Sequence, residues 1–184
     1  MRLALKNVRL AFPSLFEAKT VNGEGEPAFS AVFLIEPADP QTKAVEQAIA
    51  AVAKDKFGAK TDAVLKAMKA ADKTCLHDGN TKAEYAGFAD MLFVSARGKA
   101  RPLVLDSDKS PLTAADGRPY AGCYVNASID LWAQDNSFGK RVNAQLRGVQ
   151  FLRDGDAFAG GGGGAATEDE FDDVAEGATA DDLT

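Results

Sequence analysis

The stretch that decides the fold is Cys123–Ala133, CYVNASIDLWA, followed after a short connection by Arg141–Arg153, RVNAQLRGVQFLR. In the first segment the odd positions are apolar or small and the even positions are polar or aromatic. This period-two pattern is typical of a half-buried strand. The second segment alternates in the same way, but its parity reverses after Gly148. The pattern therefore predicts a long β-hairpin with a β-bulge near that glycine.

The register of this hairpin follows from its turn. With Ser137 and Phe138 at the centre of the turn, Trp132 lies opposite Asn143, and core residues also meet core residues. One sheet face then carries large aromatic and cationic side chains. An exposed Trp or Tyr can stack on any base, and Arg neutralises phosphates, so this face suits single-stranded nucleic acid. Alternatively, a helix, the 106–119 loop or a partner subunit covers the aromatic rings.

Further strand patterns lie on both sides of a helical region. The alternating stretch Val8–Phe12 ends at Pro13, and Phe29–Ile35 is apolar on both faces, as in a central strand. Shorter strands are predicted at Met91–Ala96 and Leu103–Leu105. The predicted turns and loops are 22–27, 77–80 and 106–119.

Two helices are predicted between these strands. Asp39 as N-cap and Pro40 at the first position favour a helix start, and Gly58 favours its end. A second helix is expected from Thr61 to about Ala71. About five strands with a helical insertion and a long bulged hairpin predict a mainly β protein, a five-stranded Greek-key OB-fold barrel.

The charges are distributed unevenly along the chain. All 21 Lys and Arg and 17 of the 27 Asp and Glu lie in residues 1–153, so this body has a formal charge of +4. Residues 154–184 hold the other 10 acids and no base, which gives −10. This asymmetry indicates a nucleic-acid partner or an intramolecular electrostatic one. The modest positive charge predicts few phosphate contacts. The logarithm of the DNA-binding constant should therefore fall with the logarithm of the salt concentration with a slope of about −2 to −4.

A change in composition near residue 159 predicts the domain boundary. Gly160–Gly164 are five consecutive glycines, which favours a flexible linker. We therefore expect a folded domain, 1–158, and a Gly-rich linker with a disordered acidic C-terminal tail, 159–184. The tail is either a solubilising segment or a partner-binding motif in which one aromatic ring lies among acids. The residues of this motif are Glu168, Asp169, Glu170, Phe171, Asp172 and Asp173.

Several classes of function are disfavoured by the motifs of the sequence. It contains neither a P-loop nor an HExxH motif, and a Ser-His-Asp triad would have to centre on His77, the single histidine. Cys75 and Cys123 are too few for a disulfide framework or a four-cysteine zinc site. We expect no catalysis, no cofactor and no metal. Asp106, Asp108 and Asp116 could bind Mg²⁺ as in a nuclease, but acidic side chains in a loop are usually solvated. No stretch has the length of a membrane span or a cleavable signal, which predicts a cytoplasmic protein.

The order and spacing of several segments carry a family resemblance. The segments are Val8-Arg9-Leu10 with Phe12 and Phe16, Phe29–Ile35, His77-Asp78-Gly79, Tyr85-Ala86-Gly87, Phe93–Ala96 with Arg101-Pro102, Tyr120–Val125, and Leu146–Phe151 with Asp154–Asp156. Over roughly residues 5–156, together with the acidic tail, the chain resembles the phage-encoded single-stranded DNA-binding proteins with an OB-fold. This family was first described as a domain of unknown function. One departure is Arg147-Gly148, where asparagines are expected in much of the family.

The resemblance implies a protein that coats single-stranded DNA in phage replication, recombination or repair, in the cytoplasm of a bacterial host. It also implies a tail that competes for the DNA groove and recruits replication proteins. The residues that we predict to contact DNA are Tyr85, Phe93, Arg97, Lys99, Arg101, Tyr120, Tyr124, Trp132, Phe138, Lys140, Arg141 and Arg147. Phe93 fits the core equally well.

Two further possibilities stay open at this point. An OB barrel can form a homodimer through a strand edge, although the sequence identifies no such edge. The alternative function is a non-catalytic protein–protein interaction module of a phage replication or packaging complex that does not bind DNA. Whether Trp132, Tyr124, Arg141 and Arg147 are exposed together discriminates between the two functions.

Overall fold

The computed structural model of the protein describes residues 1–21 and 23–158. Within them the chain forms seven strands and two α-helices. The strands are β1 (Arg2–Val21), β2 (Glu24–Ile35), β3 (Leu76–Asp78), β4 (Leu92–Gly98), β5 (Leu103–Leu105), β6 (Tyr124–Asn136) and β7 (Gly139–Arg153), and the helices are α1 (Pro40–Phe57) and α2 (Thr61–Ala70). No helix in this part of the chain is long and apolar enough to cross a membrane.

Five of the strands close into a barrel. β1 pairs antiparallel with both β2 and β6, β2 pairs with β4, and β6 pairs with β7. A parallel contact between Arg97 of β4 and Gln145 of β7 closes the ring. This is the five-stranded Greek-key arrangement of an OB-fold, so the predicted fold class is confirmed. β3 extends the sheet beside β4, and β5 pairs in parallel with β7.

The hairpin of β6 and β7 has the predicted register. Trp132 pairs with Asn143, and the pairing shifts by one residue between Ser128 and Ile129, opposite Arg147. The bulge therefore lies where the parity of the sequence reverses. The inward-facing side chains of β6 are buried, among them Ile129, and each such side chain stabilises the fold by about 1.5–3 kcal/mol.

The helices begin and end near the predicted residues. The Asp39 side chain accepts a hydrogen bond from the backbone N–H of Gln41 (2.9 Å), as an N-cap does, and Gly58 ends α1 with a positive φ of 56°. Val45 and Ile49 of α1 are buried in the main core. Because they lie one turn apart, α1 closes the barrel with a single apolar stripe.

The side chain of Gln41 also contacts the backbone of β1. Its amide oxygen accepts from the N–H of Lys6 (2.6 Å), and its amide nitrogen donates to the carbonyl of Lys6 (2.8 Å). These are the two hydrogen bonds that a residue of a neighbouring strand would make. The start of α1 is thereby fixed against the first part of β1.

Three local predictions are wrong. The turn predicted at 22–27 overlaps β2, which begins at Glu24. The first strand does not end at Pro13, since β1 runs to Val21. The predicted turn at 77–80 overlaps strand β3, whose three residues pair with β4. A strand of three residues is too short to show a period in the sequence, which is why the turn residues Asp78 and Gly79 dominated the prediction.

The segment 154–158 is fastened to the barrel beside β1. The backbone N–H of Phe158 donates to the carbonyl of Ala121 (3.0 Å), and Arg9 Nη2 donates to the carbonyl of Asp156 (2.7 Å). Gly122, with φ 103°, allows this approach, because a Cβ there would lie 2.1 Å from the Asp156 carbonyl oxygen. The predicted linker and tail, 159–184, with the motif Glu168–Asp173, lie outside the described residues, so the domain boundary stays a prediction.

Candidate nucleic-acid interface

A groove of about 970 Å³ opens on the outer face of the barrel across β2 and β4. The first residues of β2, Gly25–Pro27, line one side, and the tip of the β6–β7 hairpin lines the other. Small side chains such as Ser30 and Ser95 form part of its floor. OB-folds bind oligonucleotides on the corresponding strands, between the loop that joins the first two strands and the loop that joins the last two.

Two exposed aromatic rings line this groove. Trp132 lies on the outer face of β6, where the strand alternation directs the even positions, and 47% of its surface is exposed. Phe138 lies at the tip of the hairpin and is 82% exposed. Its backbone N–H donates to Asn136 Oδ1 (2.9 Å), which fixes the turn. Both rings therefore have apolar surface free for a planar ligand.

Three cationic side chains line the same groove. Arg97 Nη2 donates to the carbonyl of Glu26 (3.1 Å), and Lys99 forms an ion pair with the Glu26 carboxylate. The hydrogen bond and the charge of Lys99 lower the pKa of Glu26. Arg141 lines the opposite side, next to the aromatic rings. With His77 neutral, the charged residues that line the groove have a formal charge of +2, which favours an anionic ligand without a large electrostatic contribution.

His77 lies at the floor of the groove in a fixed orientation. Its Nδ1 is hydrogen-bonded to Asp72 Oδ1 (2.7 Å), its Nε2 to Ser95 Oγ (2.9 Å), and its ring stacks on Phe93 with centroids 4.8 Å apart. The order Asp-His-Ser is that of a nucleophilic triad. However, the backbone N–H of Ser95 donates to the carbonyl of Cys75 (3.0 Å), so it cannot also stabilise an oxyanion. The residues described here contain no group of three His, Cys, Asp or Glu side chains that could hold a metal ion.

Two of the predicted tyrosines lie away from the groove and have structural contacts. Tyr124 is eight residues from Trp132 on β6, about 26 Å along the strand. The Arg153 guanidinium covers its ring at 3.6 Å. The hydroxyl of Tyr120 donates to Asp154 Oδ1 (2.7 Å). Burial, and then this hydrogen bond, raise the pKa of Tyr120. The Tyr124 ring also lies against Gly155, where an added Cβ would be 2.9 Å from it. Both rings therefore pack against the 154–158 segment, and their stacking on DNA stays a prediction.

The other predicted contacts outside the groove have partners of their own. Phe93 is buried in a small cluster on the outer face of β2 and β4, which agrees with the core alternative for this residue and not with stacking on a base. Arg101 lies over the ring of Phe16 at 5.8 Å. Lys140 faces Asp135 and Arg147 faces Asp130, each at 3.9 Å. Tyr85 is exposed, at a position beyond the groove. The structure thus brings together five of the twelve predicted residues: Arg97, Lys99, Trp132, Phe138 and Arg141.

Several groove residues were not predicted from the sequence. Asn143 Nδ2 donates to Gln134 Oε1 (3.0 Å) beside Trp132, and both amides line the groove. The predicted register already placed them next to the tryptophan on the polar face, so the pattern contained the signal. Glu26 and His77 come from distant parts of the chain, and only the closed barrel brings them to the hairpin.

The comparisons with known proteins agree with this fold. Residues 1–184 match the family described as "Enterobacter phage Enc34, ssDNA-binding protein", and the chain belongs to that family. Protein p50 of Acyrthosiphon pisum secondary endosymbiont phage 1 is 48% identical over 179 residues, which cover 95% of this chain and 94% of p50.

Solved structures of the phage Enc34 single-stranded DNA-binding protein are also similar. One of them, at 26% identity and a TM-score of 0.70, covers 93% of this chain and 90% of that protein. The structure of that protein in complex with single-stranded DNA has 24% identity and a TM-score of 0.72, with 85% and 88% of the two chains covered. The second comparison supports the fold alone, and the family itself rests on the whole-chain match.

Proposed function

We propose that this protein binds single-stranded DNA in the groove between the start of β2 and the β6–β7 hairpin. The observation that carries the proposal is that two exposed aromatic rings, Trp132 and Phe138, line one groove together with three cationic side chains. Membership in a family described as ssDNA-binding supports the same function.

The chemistry of the groove favours single strands over duplex. A base must be unstacked and unpaired before a Trp or Phe ring can lie on its face. Arg97, Lys99 and Arg141 would meet the phosphates, which are the same for every sequence. Stacking also accepts every base, so we expect little sequence preference.

The biological role is a finer proposal. Since the family is described from a phage protein, we place this protein on DNA strands exposed during phage replication, recombination or repair, in the cytoplasm of the host bacterium. Charge complementarity supports a further role for the tail. The eight acids of residues 159–184 would compete with DNA for the groove of a domain, 1–158, whose formal charge is +2, and the motif around Phe171 would recruit replication proteins.

The test of the proposed function is a titration of Trp132 fluorescence, since this is the single tryptophan of the chain. Oligo-dT should quench the emission at low salt, and a duplex of equal length should quench it weakly. A variant that ends at Phe158 keeps the contacts of the 154–158 segment and should bind oligo-dT more tightly. If neither this titration nor a gel-shift assay detects a complex with the full chain or with the shortened variant, the interaction-module alternative replaces DNA binding.

A further inference from the structure

An exposed pair of aromatic rings lies beside the groove and is not part of it. Phe12 is 37% exposed and Tyr85 is 43% exposed. Their ring centroids are 5.0 Å apart at an interplanar angle of 88°, and both rings lean on the buried Phe88. We propose that this pair, the Phe12–Tyr85 platform, is a second stacking site for the DNA strand that occupies the groove. This inference rests on the proposed function and deepens it.

The backbone turns Phe12 outward against the strand pattern. Leu10 is buried inside the barrel and Ala11 on its outer face, so simple alternation would return Phe12 to the interior. Instead, Phe12 has φ 45°, and the pairing of β1 with β2 shifts between Ala11 and Ser14. A bulge of this kind re-aims a side chain, and a left-handed conformation at a bulky residue costs free energy. The Phe12 ring is therefore exposed by a locally strained backbone conformation.

The platform and the groove are connected through one cluster of packed side chains. Val32 lines the groove and also packs against the cluster that contains Phe88 and Phe93. His77 lines the groove and stacks on Phe93. Phe12 and Tyr85 pack against Phe88 of the same cluster, so contacts between neighbouring side chains connect the groove with the platform.

The distance between the two stacking sites suits a short run of nucleotides. From Trp132 on β6 the surface crosses β7, β4 and β2 before it reaches Phe12 on β1. Four inter-strand steps of about 4.8 Å give roughly 19 Å. At about 3.4 Å per stacked nucleotide, this span corresponds to five or six nucleotides. This number lies within the roughly 4–16 nucleotides that one OB-fold binds.

A cation accompanies the platform. Lys82 Nζ lies 6.0 Å from the centroid of the Tyr85 ring, and the N–H of Tyr85 donates to the carbonyl of Lys82 (3.0 Å) in the same turn. An aromatic ring with a cation nearby is the combination that also lines the groove, where Arg141 lies next to the rings. The platform therefore offers a base a stacking partner and its phosphate a counter-charge.

The test compares Tyr85→Ala with Trp132→Ala over a series of fluorescently labelled oligo-dT lengths, from about 3 to about 15 nucleotides. For the shortest oligonucleotides that wild type binds, we expect Tyr85→Ala to have the same affinity as wild type. For oligonucleotides long enough to span both sites, the affinity of Tyr85→Ala should be about 5- to 150-fold lower. Trp132→Ala should lose affinity at every length. Leu103→Ala, which removes a 62% exposed side chain of β5 outside both sites, is the matched control.

The outcomes separate the two proposals. Equal affinities of Tyr85→Ala and wild type at all lengths, with Trp132→Ala impaired, would overturn the platform and leave the groove intact. No binding of wild type at any length would overturn the proposed function itself. A second experiment uses only the wild-type protein, so its result does not depend on the folding of a variant. In a series of oligo-dT strands, one 5-iodouracil replaces each thymine in turn, and each strand is photo-crosslinked to the protein. Crosslinks to Tyr85 or Phe12 are expected at one end of the strand, and their absence at every position would also overturn the platform.

Discussion

The replacement of Trp132 by alanine tests the groove most directly. The ring is 47% exposed without DNA, so Trp132→Ala removes a stacking surface while it leaves the buried residues of β6 in place. Stacking of one base on an aromatic ring contributes about 1–3 kcal/mol, which corresponds to a loss of about 5- to 150-fold in affinity. Trp132→Phe keeps a π-face and should lose less. The affinities are measured by fluorescence anisotropy with labelled oligo-dT at low salt, because the variant has no tryptophan.

Two controls make this result specific. Far-UV circular dichroism and a thermal melt check that each variant is folded. Leu103→Ala should bind oligo-dT as wild type does, since Leu103 lies on β5 outside the groove. If Trp132→Ala, correctly folded, bound as tightly as Leu103→Ala, the assignment of Trp132 to a stacking role would be refuted.

Three further predictions concern charge and thiol chemistry. With three cations in the groove, the logarithm of the binding constant for oligo-dT should fall with the logarithm of the salt concentration with a slope of about −2. Arg141→Ala should make this slope shallower by about 0.7, and an unchanged slope in the variant would contradict the assignment. The N-terminal amine donates to Asp130 (2.8 Å) and lowers the pKa of this carboxyl, so the contact stabilises the fold above the unfolded pKa near 4. Denaturant titrations should therefore find Asp130→Asn less stable than wild type at neutral pH, with a difference that disappears as the pH falls through the lowered pKa. Burial raises the pKa of Cys75 to about 12 and of Cys123 to about 11, so Ellman's reagent should react with neither thiol until denaturant is added.

The hairpin of β6 and β7 could be predicted from the sequence because each long strand repeats one pattern many times. Eleven residues of alternation, Cys123–Ala133, specify which face is buried, and one change of parity locates the bulge. β3 and the extension of β1 could not be predicted in this way. β3 has three residues, and β1 contains several shifts of register that break its alternation.

The site could be predicted only in part. The alternation of a strand predicts which residues share a face of the sheet, but it does not predict how the sheet curves into a barrel. Tyr124 and Trp132 share one face of β6, yet a strand of this length spans about 40 Å and its two ends serve different surfaces of a closed barrel. The predicted face therefore included residues that fasten the 154–158 segment as well as residues that line the groove. Glu26 was not predicted, since its place beside Lys99 depends on the closure of the barrel.

The contact between Gln41 and Lys6 bears on strand pairing between two copies of the chain. A strand with unpaired backbone groups is a template on which a second chain can add a strand, and this reaction leads to dimers, swapped domains or fibres. The side-chain amide of Gln41 already occupies both the N–H and the carbonyl of Lys6. A second copy that paired with this part of β1 would first have to displace the beginning of α1. β1 pairs with β2 only from Arg9 onward, so α1 protects the edge of β1 from aggregation at Lys6, where β2 does not cover it.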